Sequence, residues 1–404
     1  MPALDEYLQQ KLLLLNSKRQ KREALATARG PGVRVVRGGK ALVSFSCNDY
    51  LGLSQHPRVL AAAKEAIDLY GAGAAASRLV TGNVPLYEQL EAALAEYAGA
   101  ESACVFGSGY LASIGTIPAL VGAGDLILAD KLVHACMIDA ARLSGATVMR
   151  FAHNNMDHCR LLLENNRAEH HHCLILSESV FSMDGDRAPV SLLERFGREF
   201  DAWVMVDGAH AISSPPPEGE GGVGGLATYS KPERVATPHP NPPPQEGREF
   251  ILMGTLSKTL GSYGGYVAGS NILTDYLKTA ARSLIFSTGL PPAALGAAIA
   301  ALEIIKNDPM LTQQPLQRAR HFTALLGLPP AQSAIVPLIL GANERALAAS
   351  RLLEERGYLV TAIRPPTVPE NTARLRFAFS ALHTEEQIET VAAIVQEQGW
   401  LCEA

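Results

Sequence analysis

Trp203-Val204-Met205-Val206-Asp207-Gly208-Ala209-His210 is a short apolar run closed by an aspartate, with a histidine three residues beyond it. The construction recurs along the chain. Ser102-Ala103-Cys104-Val105-Phe106 runs into Gly107-Ser108-Gly109-Tyr110, Asp125-Leu126-Ile127-Leu128-Ala129 into Asp130-Lys131-Leu132-Val133-His134, and Cys173-Leu174-Ile175-Leu176-Ser177 into Glu178. Helical patterns such as 85–97, with Glu and Ala on the exposed side, separate the runs. Short apolar strands alternating with helices predict a mostly parallel sheet covered on both faces, an α/β fold. In such sheets ligands lie off the carboxyl ends of the strands. Polar residues just past those ends are therefore the first candidates for chemistry.

Outward from this region the pattern changes at both ends. Leucines at helical spacing and a basic cluster, Lys18, Arg19, Lys21 and Arg22, occupy 4–28. A solvated helix face explains that cluster, and docking of an acidic acyl donor is the sharper alternative. Val33-Arg34-Val35-Val36 and Ala41-Leu42-Val43-Ser44-Phe45 flank Gly38-Gly39, which predicts a hairpin. After about residue 290, a helix at 293–306, strands at 334–340, 360–363 and 374–379, and helices at 344–356 and 384–397 predict a separate α+β lobe. The expected organisation is an N-terminal arm (1–45), a large domain (46–290) and a small C-terminal domain (291–404). Of 404 residues, 47% are apolar and 19% charged, with a formal net charge of −5. That composition excludes a disordered or disulfide-scaffold protein and disfavours nucleic-acid binding. The four-leucine run 12–15 is too short for a secretory or membrane segment. Six scattered cysteines, including Cys47, Cys104 and Cys136, lack metal spacing and read as free thiols of a cytoplasmic protein.

Four signals carry chemistry. Gly254-Thr255-Leu256-Ser257-Lys258 sets a lysine in a hydroxyl-rich loop between two strand-like runs. An exposed lysine is the common alternative, but small neighbours leave room for a phosphate and an aldehyde, and a lysine amine can form a Schiff base. Asp207 ends a buried strand and needs a charge partner, such as a protonated pyridine nitrogen, or else caps a helix. His210 could reach the ring hydroxyl. Gly107-Ser108-Gly109-Tyr110, between a strand and a helix, suits an anion at a helix N-terminus, although any tight turn can look alike. His134 could stack on a flat ring or be an ordinary surface histidine. Together they make up a pyridoxal-phosphate site: phosphate cradle, stacking histidine, pyridine aspartate and Schiff-base lysine.

The sequence resembles the α-oxoamine synthases, fold-type I pyridoxal-phosphate transferases. The resemblance covers nearly all the chain outside 211–249. It rests on Asn48-Asp49-Tyr50-Leu51-Gly52-Leu53, Gly107 to Tyr110, His134, Glu178-Ser179-Val180-Phe181-Ser182-Met183-Asp184-Gly185-Asp186, Asp207 with His210, Gly254 to Lys258, Ser287-Thr288, and Thr361-Ala362-Ile363-Arg364-Pro365-Pro366-Thr367-Val368-Pro369. The last stretch points to the branch serving biotin biosynthesis. That branch joins L-alanine to a pimeloyl thioester, on CoA or acyl carrier protein, with loss of CO₂. Glycine C-acetyltransferase and 5-aminolevulinate synthase are the alternatives within the family, and an impaired homologue acting as a binding subunit is a third.

The resemblance implies that Lys258 holds the cofactor and moves the substrate α-proton, while Asp207 keeps the pyridine nitrogen protonated. It implies that His134 stacks on the ring, that Glu178, Ser182 and His210 orient its hydroxyl side, and that Thr255, Ser257 and the backbone at Gly109-Tyr110 hold phosphate. Ser287 and Thr288 would come from a second subunit of an obligate homodimer. Arg364 would clamp the amino-acid carboxylate, Thr367 would assist at the acyl end, and Asn48, Arg19 and Arg22 would contact substrate.

Four features do not fit this scheme. His170-His171-His172 invites a metal, but adjacent strand residues point to opposite sides and no metal site is expected. Gly219 to Gly225 lacks the strand and helix that a dinucleotide loop requires. Nine of the 25 prolines fall within 213–249, between His210 and Lys258. This stretch reads as a low-complexity insertion displacing a family loop, with a partner-recognition arm as the lesser alternative. Gly208 also stands where the family carries an acidic residue.

Overall fold

In a computed structural model, residues 3–211 and 250–401 are described; the proline-rich stretch 213–249 lies outside them. The chain divides into two compact units. One comprises residues up to 48, 183–185 and those from 316 on; the other comprises 49–182 and 186–315.

The second unit is built on a seven-stranded sheet in the order Ser102–Phe106, Gly265–Gly269, Phe250–Thr255, Trp203–Asp207, Cys173–Glu178, Leu126–Asp130, Thr147–Phe151. Neighbours are parallel except Gly265–Gly269, which is antiparallel to both of its partners. The continuous apolar runs follow from burial on both faces. Ile127 and Ala129 join one apolar cluster with Ile117, Met137 and Ala140. Leu126 and Leu128 join another with Cys159, Leu163 and Phe196. The parallel register brings Asp130, Glu178, Asp207 and Thr255 to the carboxyl ends of their strands.

Helix Pro292–Asn307 belongs to this unit, which runs to residue 315. The reason is its packing. A Cβ on Gly296 would lie 2.7 Å from the Ala62 carbonyl, so the bare glycine lets the helix approach Pro57–Tyr70 closely. Glu303 adds an ion pair to Arg58 at 3.2 Å.

The first unit opens with helix Leu4–Ser17, shorter than the helical spacing over 4–28 predicts, with no buried residue. The chain turns out of the helix at Arg19, whose φ is +54°. Strands Arg34–Arg37 and Lys40–Ser44 pair through a two-residue turn at Gly38-Gly39, both at positive φ, as the primed turns of tight hairpins require. A second sheet takes Ile335–Gly341, Ala373–Ala378 and Thr361–Ile363. Strand Ala373–Ala378, whose sequence alternates, is buried at all six positions. Its two arginines stay paired: Arg374 to Asp184 at 2.5 Å and Arg376 to Asn48 Oδ1 at 3.1 Å. No helix among the described residues is long and apolar enough to cross a membrane.

Candidate active site

The carboxyl edge of the large sheet brings together Asp207, His210, Glu178, Ser182, Thr255, Ser257 and Lys258 from the residues expected at the cofactor. Strand Trp203–Asp207 delivers Asp207, which is 5% exposed, and the Ala209 N–H donates to its Oδ1 at 2.8 Å. A turn later His210 lies buried between two partners. Lys258 Nζ is 2.6 Å from its Nε2, and the Tyr50 hydroxyl is 2.6 Å from its Nδ1. Tyr50 is fully buried and meets the imidazole edge-on at 5.9 Å.

Two proton arrangements satisfy this chain. An ammonium at Lys258 donates to Nε2 while Nδ1–H donates to Tyr50, or Tyr50 donates to Nδ1 while Nε2–H donates to a neutral Lys258 amine. The pair can therefore hold or release a proton at Lys258 Nζ. Tyr50 stands in a stretch the sequence reading marks, yet its partnership with His210 spans 160 residues and no local pattern encodes it.

Strand Phe250–Thr255 supplies the hydroxyls. Thr255 Oγ1 lies 2.7 Å from Ser257 Oγ and donates to the Gly264 carbonyl at 2.9 Å. These groups lie beside the N-terminus of helix Gly109–Leu120, which Ser108 caps by accepting the Leu111 N–H. Hydroxyls facing the free N–H groups of a helix's first turn make an anion cradle. Gly265 keeps it open, because a Cβ there would sit 2.4 Å from Gly109 N. The Tyr110 hydroxyl points elsewhere and donates to Asp139 at 2.7 Å.

Glu178 ends its strand 1% exposed, and the Ser182 N–H donates to its Oε2 at 3.1 Å. Its Oε1 is buried with no hydrogen-bond partner among the described residues. Burial, and then the charge of Asp207, push this carboxyl well above the ordinary glutamate range, with Lys258 opposing them. His134 caps helix Ala135–Ser144, its Nδ1 accepting the Cys136 N–H at 3.2 Å. Burial lowers its proton affinity, Asp207 raises it and Lys258 lowers it. Thus Asp207, Glu178, His134 and Lys258 share one local field. A buried carboxylate oxygen lacking a donor, a lysine amine beside a histidine, and a hydroxyl-lined helix terminus fit pyridoxal phosphate.

The remaining expected residues lie elsewhere. Thr288 forms an isolated antiparallel bridge with Ser77, adjacent to Ser287. In the first unit, Arg22 donates to Thr367 Oγ1 at 2.7 Å, and Arg364 donates to the Arg19 carbonyl. Burial, and then Arg22, lower the proton affinity of the Arg364 guanidinium. Arg19 also pairs with Glu344 at 3.8 Å. The histidine run disperses: His172 stacks on Trp203 at 4.9 Å, and His170 Nδ1 is 2.9 Å from the Asn166 carbonyl oxygen.

Residues 40–395 match the family described as aminotransferase class I and II. The 8-amino-7-oxononanoate synthase of Methylobacterium nodulans is 52% identical over 398 residues, covering 98% of each chain. That of Methylocella silvestris is 53% identical over 365 residues, covering 90% of this chain and 99% of its own. A serine palmitoyltransferase from S. paucimobilis, solved with bound PLP–myriocin, superposes with a TM-score of 0.86 at 27% identity over 99% and 98% of the two chains. The Francisella tularensis 8-amino-7-oxononanoate synthase shares the fold, with a TM-score of 0.71 at 24% identity over 89% and 98%. The chain belongs to the aminotransferase class I and II family of pyridoxal-phosphate enzymes and, within it, to the 8-amino-7-oxononanoate synthases.

Proposed function

We propose that the chain condenses L-alanine with a pimeloyl thioester, on CoA or acyl carrier protein, giving 8-amino-7-oxononanoate, CO₂ and the free thiol in biotin biosynthesis. The observation that carries this reading is the Tyr50–His210–Lys258 chain beside Asp207 and Glu178. An amine within hydrogen-bond reach of an imidazole, in the electrostatic field of Asp207 and Glu178, supports a proton-transferring role for Lys258. Pyridoxal phosphate, when bound, supplies a conjugated ring that takes up the electron pair left on the alanine Cα. Lys258 would anchor it and then act as general base at that carbon, with His210 accepting or returning the proton at Nζ. Asp207 would hold a cation at the pyridine nitrogen, and Glu178 and Ser182 would orient the hydroxyl side. Thr255, Ser257 and the N–H groups at Gly109-Tyr110 would hold phosphate. His134, kept neutral by burial, would stack over the site and donate a hydrogen bond to substrate.

Within the first unit, Arg22, Arg364 and Thr367 form a cationic, hydroxyl-bearing cluster suited to a carboxylate or thioester of the substrates. A homodimer sharing Ser287 and Thr288 is part of this proposal. Val80 and Phe286, exposed at 74% and 70%, border the Ser77–Thr288 bridge, an apolar surface that a second subunit would cover. A CoA or carrier-protein donor is in keeping with a cytoplasmic enzyme.

Purified protein loaded with cofactor should release CoA from pimeloyl-CoA in the presence of L-alanine. Lys258→Ala should abolish that release. Glycine or serine supporting faster release than alanine would favour another branch of the family. No release with any amino acid contradicts the proposal.

A further inference from the structure

A cluster outside the residues so far assigned joins three carboxyl ends of the large sheet. His153 follows strand Thr147–Phe151, with Nδ1 2.9 Å from Asp130 Oδ1 and Nε2 2.8 Å from Asp186 Oδ2. An imidazole whose two nitrogens both face carboxylate oxygens must donate from both, so it is an imidazolium. Phe181 meets the ring edge-to-face at 4.3 Å.

Each carboxylate organises a different loop. Asp130, fully buried, also accepts the Leu132 and Asn154 N–H groups at 2.8 Å each, fixing the turn that ends at His134. Asp186 accepts the Asn154 side-chain amide at 2.7 Å, and its carbonyl accepts the Phe181 N–H at 2.9 Å. Together with the Val180–Arg187 bridge, these contacts close the loop that carries Ser182. Asn154 takes a positive φ of 52° to reach both partners. Burial opposes the charge on His153, but its bonds to Asp130 and Asp186 outweigh that and hold its pKa up to about 10.

We propose that His153 is a positioning residue that ties the His134 turn to the Ser182 loop and so sets both against the bound cofactor. The proposal rests on the cofactor site assigned above. Removing the cation leaves Asn154 bridging two carboxylates whose mutual repulsion is no longer offset, and both loops should loosen. A shift of about 1 Å at such a site can cost roughly 100-fold in rate.

The test compares His153→Gln, which keeps hydrogen-bonding capacity without charge, with His153→Arg, which restores a cation. The readouts are pyridoxal-phosphate Kd, the induced circular dichroism of the bound cofactor, and kcat and KM for CoA release. His153→Gln should raise Kd about tenfold or more, weaken the induced signal and lower kcat more than either KM. His153→Arg should recover at least half of the lost affinity on a logarithmic scale. Should His153→Gln fail to fold, Asp186→Asn reads one arm alone, with a Kd rise of about threefold or more expected. A folded variant of either kind that binds cofactor within twofold of wild type with an unchanged induced signal overturns this proposal alone. Wild-type protein that binds no cofactor overturns both this proposal and the functional reading.

Discussion

Gly265 opens the antiparallel strand of the large sheet and lies against the Ser108-Gly109 turn that begins the anion cradle. A Cβ at this position would be 2.4 Å from Gly109 N and from the Ser108 carbonyl carbon and oxygen, where ordinary contact begins at 3.4 Å. The strand cannot give way, because Gly265 is in register with Phe106 on one side and Thr255 on the other. In Gly265→Ala the Ser108-Gly109 peptide must therefore retreat by about 1 Å. Overpacking of this kind costs roughly 1–3 kcal/mol, a fall in Tm of about 2–6 °C for a unit of this size. The N–H groups of the first helical turn withdraw with the peptide. Weakening one or two charge-assisted hydrogen bonds to phosphate should raise the cofactor Kd about 10- to 100-fold. Absorbance titration of the apoprotein with pyridoxal phosphate measures the second effect and thermal melts the first. In Gly109→Ala the nearest atoms stand at 3.7 Å, so its melt should stay within about 1 °C of wild type. A Gly265→Ala protein with wild-type Kd and Tm would refute the assignment of this turn as the cradle.

Other expectations follow from buried charge. His383 is buried, with Nδ1 accepting the Ser380 N–H and Nε2 3.1 Å from the Ser44 carbonyl oxygen; burial lowers its pKa to about 4. The unfolded chain binds that proton first, so stability should fall as pH drops from about 6.5 toward 4, by about 3 kcal/mol in full. His383→Gln should flatten that part of the Tm–pH curve. Asp184→Ala removes the carboxylate that balances the buried Arg374 charge, leaving the guanidinium its Thr372 and Met183 oxygen partners, and should cost roughly 3 kcal/mol. Adding Arg374→Met should restore more than half of that in denaturant titrations, and no recovery would mean the pair is not what holds Arg374. Glu178→Gln removes a buried carboxylate disfavoured by burial and by Asp207. The apoprotein should melt higher at neutral pH while cofactor affinity falls, an opposition that a purely structural Glu178 would not produce.

Much of the fold was legible because local chemistry and global burial agree. The strand runs are continuously apolar since the parallel sheet is covered on both faces, and Gly38-Gly39 marks the hairpin since both residues need positive φ. The strand ends likewise exposed Glu178, Asp207 and Thr255 to reading, because ligands in such sheets lie off those ends. Where pattern and packing part, the sequence misleads. Helix Pro292–Asn307 carries no local mark of the unit it packs into, since Gly296 against Ala62 is a contact between distant segments. Strand Ala373–Ala378 alternates like a half-exposed strand, yet its arginines are buried because Asp184 and Asn48 meet them. Partnerships across long separations were equally hidden. Tyr50 with His210, Arg22 with Thr367, and His153 between Asp130 and Asp186 exist only once the chain has folded.

The most direct test of a decarboxylating condensation follows the carboxyl carbon of alanine. Cofactor-loaded protein given L-alanine labelled with ¹³C at the carboxyl group, together with pimeloyl-CoA, should release labelled CO₂ and CoA in equal amounts. The amino-ketone product should carry no label, and Lys258→Ala should yield neither CO₂ nor CoA. CoA released without labelled CO₂, or label retained in the acylated product, would contradict the account.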